Sequence, residues 1–422
     1  MKSIRPRHLG AALALAVTAV AAPALAQPLF WSTQAQPIEE TQAMREQVLT
    51  GFPGGVDYQA SDPGPWITRL QAEAAAGSGT IAVLGALHGD FAGVAGTLAD
   101  VSDIDASGVL PALMELGALG TDGQLYIPWM QATYIMAANK KALEHLPEGV
   151  DINALTYDQL IQWMGDLAEA TGGPKFGFPA GPQGLKHRFF QGYLLPAYTG
   201  SMVTEFRSDE AAQAWEAFRT LWQYTNPAAT NYGFLQEQLI TEEVWVAFDH
   251  TARLAEAFNQ RPDDFVAFPA PAGPAGRAFM PVVAGMAIPT TAPDLEASKA
   301  LIAYMLQPDT QVATLRATNF FPVVNTTLPA DMPPSVILSG AAIAAMTGAP
   351  DALPALLPVG LGDLGGQFNQ VYIDTFERIV LAGQDIRAVL DEQAVALQQV
   401  INEAGAPCWA PDAPSEGPCP VN

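Results

Sequence analysis

Positive charge is scarce in this sequence. Its 422 residues carry 19 Lys and Arg against 43 Asp and Glu, a formal net charge of −24 with histidine neutral. Nucleic acids and anionic membrane surfaces both require basic patches, so this balance excludes them as partners. Histidine is also rare: of five, His88, His145, His187 and His250 lie beyond the first residues, and none has metal-ligand spacing. There is no G-x-S-x-G elbow, H-E-x-x-H helix, P-loop or EF-hand loop, so no nucleophile, zinc or phosphate engine is announced. The two cysteines, Cys408 and Cys419, both lie in the proline-rich end CWAPDAPSEGPC. In an oxidising compartment such a pair forms a disulfide. Zinc is the other reading, but two cysteines without a nearby histidine cannot complete a tetrahedral site.

Long apolar runs are equally absent, with one exception at the start. Lys2, Arg5 and Arg7 precede an apolar stretch from Leu9 to Val20 and a small-residue site at Ala24-Leu25-Ala26. This is the pattern of a signal peptide cleaved after Ala26. The run falls short of the roughly 20 residues that a membrane span needs. No twin-arginine pair and no lipidation cysteine accompany it. The protein is therefore expected to be exported and soluble. With 49% hydrophobic residues the remainder can bury large cores. At roughly 150 residues per domain it makes two or three units.

That remainder alternates strand-like with helix-like runs, the pattern of an α/β fold. PLFW (28–31), TIAVLGAL (80–87), EVWVAFDH (243–250) and FMPVVAGMAIP (279–289) read as strands. LTYDQLIQWMGDL (155–167) reads as a helix. Thr156 and Gln159 form its capping box and Leu155 and Leu160 its staple; Leu160, Trp163, Met164 and Leu167 share one buried face. Further helices are expected over 39–50, 207–224, 292–308 and 385–402, and loops with short helices from Pro322 to Gly366. GLGDLG (360–365), with Asp385 about twenty residues later, imitates a dinucleotide fingerprint. The residues before it, DALPALLPV, hold two prolines and no strand, so a loop leading into a helix is expected instead.

Polar and aromatic residues gather where strands end: Trp31, Ser32 and Gln34; His88 and Asp90; Asp249 and His250. In YIPWMQATYIMAANKKAL (126–143), Trp129 and Gln131 interrupt a buried strand. Ligands of open α/β sheets bind at the carboxyl ends of strands. Paired carboxylates could also mean a glycosidase, but among 43 acidic residues that signal has no specificity. The grouping points to a binding cleft without a catalytic engine.

The order of segments resembles the extracellular solute-binding proteins of ABC importers, in particular the sugar-binding family that includes maltose-binding proteins. YIPW…AANKKAL, with Asn139 and Lys140, is similar to that family's strand and asparagine–lysine segment. LTYDQLIQWMGDL resembles the helix after it, and PVVAGMAIPTTAPDLEASKALIAYMLQPDTQ with NFFPVV its second crossing strand, helix and proline loop. LAGQDIRAVLDEQAVALQQVINEAG resembles its closing helix. Ala138 replaces the usual tyrosine, and the proline before the capping threonine is missing.

The resemblance implies the two-lobed type II periplasmic-binding-protein fold, each lobe a mostly parallel sheet flanked by helices. Residues 27–130 and 287–325 would form the first lobe, 131–286 and 326–405 the second, and 406–422 a stapled tail. Val282 to Met286 would be a crossing strand, with Gly285 admitting a close backbone. It implies a periplasmic, non-enzymatic monomer without cofactor that binds a sugar and hands it to a permease. The ligand contacts it implies are Trp31, Gln34, His88, Asp90, Trp129 and Gln131 from the first lobe. Lys186, His187, Asp249, His250 and Gln370 would come from the second. The alternatives are another solute in the same fold, a polyol or polyamine, and a secreted glycoside hydrolase.

Overall fold

Tyr126 to Asn139 shows how the two halves of the molecule are joined. The computed structural model describes residues 27–35 and 38–422; the signal peptide expected over residues 1–26 lies outside them. Twelve strands are present: β1 (Leu29–Ser32), β2 (Asp57–Ala60), β3 (Ile81–Leu87), β4 (Ile127–Ala132), β5 (Tyr134–Asn139), β6 (Phe176–Gly177), β7 (Val246–His250), β8 (Phe265–Phe268), β9 (Arg277–Phe279), β10 (Val282–Ala287), β11 (Phe321–Pro322) and β12 (Ala352–Pro354). Six make the sheet of the first lobe, in the order β11-β4-β10-β3-β1-β2, and four that of the second, β6-β7-β5-β8. β9 and β12 pair as a small parallel ribbon.

Both sheets mix parallel with antiparallel pairs. β1 runs parallel to β2 and β3, whereas β10 is antiparallel to β3 and β4, and β5 to β7 and β8. The antiparallel members are the strands beside the crossings. The quoted stretch is therefore two strands, β4 in one sheet and β5 in the other, separated by Thr133 alone. β10, expected as a crossing, belongs wholly to the first sheet, and its chain enters through Met280 and Pro281.

The two crossings are tied to each other. The Thr133 hydroxyl donates to the Met280 carbonyl at 3.0 Å. The Tyr193 hydroxyl stands 2.8 Å from Thr133 Oγ1 and accepts from the Tyr134 amide at 2.9 Å. A Cβ on Gly192 would lie 2.3 Å from that of Met280, so only glycine fits beside the second crossing.

Local sequence rules account for most helices. Tyr157–Thr171 begins with the expected capping box of Thr156 and Gln159 and buries Leu160, Trp163, Met164 and Leu167. Ser208, Asp294 and Asp385 cap the helices Asp209–Trp222, Leu295–Met305 and Ile386–Ala404 through side-chain oxygens. Pro308 opens a further helix, Pro308–Thr318, at a position where its missing N–H costs nothing. The supposed loop region after Pro322 contains one full helix, Pro334–Thr347, whose alanine-rich sequence hides its periodicity.

The end of the chain is packed onto the second lobe. Cys408 and Cys419 are bonded, and Cys419 and Trp409 are buried. Asp412 accepts the amides of Met202, Val203 and Thr204 and the hydroxyls of Ser201 and Thr204. The staple thus holds a segment that closes one side of a core.

Titration of denatured, unreduced protein should find no free thiol; two per chain would contradict the pairing. Closing a loop of this size stabilises by up to about 3 kcal/mol, so reduction should lower the melting temperature. Tyr193→Phe should cost about 1–3 kcal/mol by denaturant titration, because the buried Tyr134 amide loses its acceptor. Unchanged stability would mean that the hydroxyl does not hold the crossings together.

Candidate ligand cleft

Buried β3 delivers its carboxyl end to the junction of the lobes. The chain turns there into the short helix His88–Ala92. His88 is 2% exposed and has a partner at each ring nitrogen: Nδ1 lies 2.9 Å from the Tyr126 hydroxyl, and Nε2 lies 2.7 Å from the Pro358 carbonyl. A carbonyl accepts only, so Nε2 carries the proton and Nδ1 accepts from Tyr126. Burial lowers its pKa to about 4, which keeps this neutral tautomer. Pro358 follows β12, in the second lobe, so His88 bridges the two halves. The Tyr126 ring behind it stacks on Phe91 at 5.0 Å and occupies the space over Gly285, where a Cβ would lie 2.2 Å from the ring. Gly285 does admit a close approach, but of a supporting ring.

Two residues on, Asp90 accepts from the Thr33 hydroxyl at 3.2 Å, which joins the ends of β1 and β3. Burial raises its pKa, opposed by the Thr33 bond, a backbone bond at Leu87 and the charge of Arg188. Arg188 comes from the second lobe, on the short helix Lys186–Phe189 that follows the left-handed Leu185 (φ 54°). It is half-buried, and among the described residues its guanidinium has no hydrogen bond, ion pair or aromatic partner. Burial lowers its pKa, with the Tyr134 hydroxyl and Asp90 acting against that.

Two more unpaired groups lie beside it. The buried Tyr134 hydroxyl and Gln191 Oε1 have no partner among the described residues. Gln191 donates its amide to Asn369 Oδ1 at 2.9 Å. Asn369 belongs to the helix Gly365–Phe376, which starts at the cleft without a side-chain cap.

Asp90, Arg188 and Asn369 line a cavity of about 350 Å³, walled by Ile67, His88, Asp90 and Gly93 on one side and by Arg188, Asn369, Pro358 and residues 361–363 and 365–366 on the other; Tyr134 and Gln191 are not part of its wall. A Cβ on Gly93 would lie 2.4 Å from Asp363 Oδ1, so the lobes are in contact at the rim. Larger grooves exist, one of about 700 Å³ between Arg207, Gln398 and Val421. That groove lies on the outer face of the closing helix and receives no residue of the first lobe.

Of the eleven expected contacts, only His88 and Asp90 line this cavity. Trp129 is fully buried in the first lobe, 5.2 Å from Phe30, because β4 is a central strand and not an edge facing the cleft. Gln131 donates to the Pro322 carbonyl and ties β11 to β4. Trp31 packs beneath the Arg69 guanidinium at 4.2 Å, and Gln34 bonds to its neighbour Thr33. Lys186 reaches the Ala180 carbonyl, away from the cavity. His187 is buried, and desolvation holds its pKa well below the usual imidazole range.

Asp249 accepts the amides of Leu235 and His250, and burial raises its pKa to about 6. His250 caps the helix Thr251–Gln260 through Nδ1 and packs on Tyr134 and Phe320. Gln370 is exposed and bonds Asp374. The groups that do converge, Arg188, Asn369 and the 360–366 glycine loop, were adjacent to the expected ones or set aside as an imitation motif. Neighbours on a helix point about 100° apart, so position alone selects the segment but not the residue.

No curated relative matches the sequence. Solved structures do. The GacH receptor of Streptomyces glaucescens, studied unliganded and with acarbose, shares 18% identity at a TM-score of 0.69, covering 89% of this chain and 98% of that one. Maltose-bound MalE3 of T. maritima gives 17% and 0.70 over 89% and 99%. UgpB of Mycobacterium tuberculosis with glycerophosphocholine gives 19% and 0.68 over 90% and 99%. At these identities the likeness establishes the two-lobed fold. A family model described as bacterial extracellular solute-binding protein matches residues 53–337, which is most of the chain. The protein belongs to the bacterial extracellular solute-binding proteins.

Proposed function

We propose that this protein is the periplasmic receptor of an ABC importer, that it binds a carbohydrate between its lobes, and that it delivers it to the permease. One observation carries the reading: Arg188 brings an unpaired guanidinium to the second-lobe side of a cavity whose opposite wall presents Asp90, and the unpaired Tyr134 hydroxyl lies within electrostatic range of that guanidinium. Buried polar groups are almost always hydrogen-bonded, and several unmet together call for a partner. A sugar supplies it, because each hydroxyl both donates and accepts. Similar structures hold maltose and acarbose, and this supports the choice of ligand class. The cavity is near the small end of the usual range for ligand sites, roughly 300–1,000 Å³. It fits one or two sugar rings. Arg188 weighs against a polyamine, which would bring a second cation to an unpaired one.

Binding should favour the closed arrangement only through contacts that ligand makes with both lobes at once. His88–Pro358 and Asp363–Gly93 are contacts of that closed form. The receptor acts as a monomer after cleavage at Ala26, and it returns glycosides unchanged.

In small-angle scattering, the sugar that stabilises the protein most in a thermal-shift panel should reduce the radius of gyration. Tight binding with an unchanged profile would contradict closure about the Thr133 and Met280 crossings. Asp90→Asn and Asn369→Ala should weaken binding by about one to two powers of ten, since each leaves a ligand hydroxyl unmet. Gln131→Ala and Gln370→Ala should leave affinity unchanged. Trp129→Ala should instead destabilise the fold by about 3–5 kcal/mol. Calorimetry and melting of the five variants check this; loss of affinity in Gln131→Ala or Gln370→Ala with none in Asp90→Asn would place the site elsewhere.

A further inference from the structure

Among the described residues, arginines are paired, with one exception. Arg45 donates to the Tyr58 carbonyl. The others, Arg188 apart, each have a carboxylate within 4 Å. The chain has 43 acidic residues to choose from, so no shortage of carboxylates explains the bare guanidinium. Asp90 is near enough to influence Arg188 but forms no ion pair with it, and turns its carboxylate to Thr33. A space between the two charges is kept open inside the cavity that both line.

We infer that the ligand is acidic: a hydroxylated compound carrying one carboxylate or phosphate group, which Arg188 binds. The inference rests on the carbohydrate reading and narrows it. A partly buried cation without a counter-charge is costly. Neutral hydroxyls can accept its hydrogen bonds but do not offset the charge. A carboxylate or phosphate does both, in the planar two-point geometry that guanidinium favours.

Two neighbouring features act in the same direction. The helix Gly365–Phe376 opens on the cavity with no side-chain cap, and Gly365 and Gly366 place no side chain over its first turn. A helix start favours negative charge. The unpaired Tyr134 hydroxyl, whose pKa burial raises to about 12, adds a neutral donor within electrostatic range of Arg188.

On the other wall Asp90 is suited to accept a ligand hydroxyl, and beside Arg188 Asn369 can exchange hydrogen bonds with another. Asp90 and Asp363 together make the rest of the cavity unfavourable to a second acidic group. The charge pattern therefore selects a single acidic group at one end of a hydroxylated body. Uronates and sugar phosphates share this chemistry.

Calorimetry with glucose, glucuronate and glucose 6-phosphate, and with the galactose counterparts, tests it within a wider panel of neutral mono- and disaccharides. At least one acid should bind tenfold or more tighter than its neutral parent. Whether the uronate or the phosphate leads identifies the source of the charge. Arg188→Gln should abolish that preference, and Arg188→Lys should lose part of it by keeping charge without the planar fork. Melting of the ligand-free protein gives a second reading. Arg188→Gln should melt no lower than the parent, because it removes an unpaired cation; a structural arginine would show the opposite. Neutral sugars binding as tightly as their acids, or an acid preference surviving in Arg188→Gln, would overturn the inference and leave the carbohydrate reading intact. Binding by no member of the panel would overturn both.

Discussion

One cluster of hydrogen bonds ties together the two crossings between the lobes. Thr133 is the single residue between β4 and β5, and Met280 precedes β10 on the returning chain. The hydroxyls of Thr133 and Tyr193 link these points through short bonds in a buried setting. Gly192 lets the helical segment that carries Tyr193 lie against Met280. The two crossings are thereby fixed to each other. The cleft residues fall into two groups. His88 and Asp90 ride with β3, and Arg188, Gln191 and Asn369 with the second lobe.

The contrast between the crossings and the cleft explains what the protein is arranged to do. At the crossings every polar group named has its partner. In the second lobe, the Arg188 guanidinium at the cavity and the buried Tyr134 hydroxyl and Gln191 Oε1 do not. Such groups lower the stability of the closed form when it is empty. A ligand that supplies the partners restores it, so the free energy of binding and of closing are the same quantity seen twice. His88 adds a contact that forms without ligand. Its neutral imidazole spans from Tyr126 to Pro358, and the segment bearing Pro358 is held by the disulfide-bonded end of the chain, through the bond from the Leu356 amide to the Ala410 carbonyl. The tail thereby belongs to the mechanics of the cleft as well as to the core of its lobe.

Much of this was legible in the sequence, and the division has a physical origin. Periodicity and capping gave the helix after Thr156 to within a turn, because both depend on neighbours three or four residues apart. Strand ends were placed well enough to bring out His88 and Asp90. Orientation was not legible. Trp129 looked like a stacking platform because an aromatic among polar residues stood out, yet β4 is an inner strand and its ring completes the core over Phe30. Lys186 and His187 were selected in place of Arg188, and Gln370 in place of Asn369. In each case the expected residue and the one that lines the cavity are neighbours on one helix, and the helix rotation was unknown. The glycine loop at 360–366 was dismissed on sound grounds as a dinucleotide motif, but Gly362, Gly365 and Gly366 do border the cavity between the lobes. A further sign was available: an arginine in a strongly acidic chain whose partner could not be named from its neighbours.

The central claim is that ligand occupies the cavity between His88–Asp90 and Arg188–Asn369. Amide hydrogen exchange of the intact protein, with and without the best ligand, tests it most directly. The account predicts slower exchange in three separated segments, residues 88–93, 186–191 and 358–369, with the outer face of the closing helix around Gln398 unchanged. Protection confined to that outer face, or to the surface of one lobe alone, would contradict it.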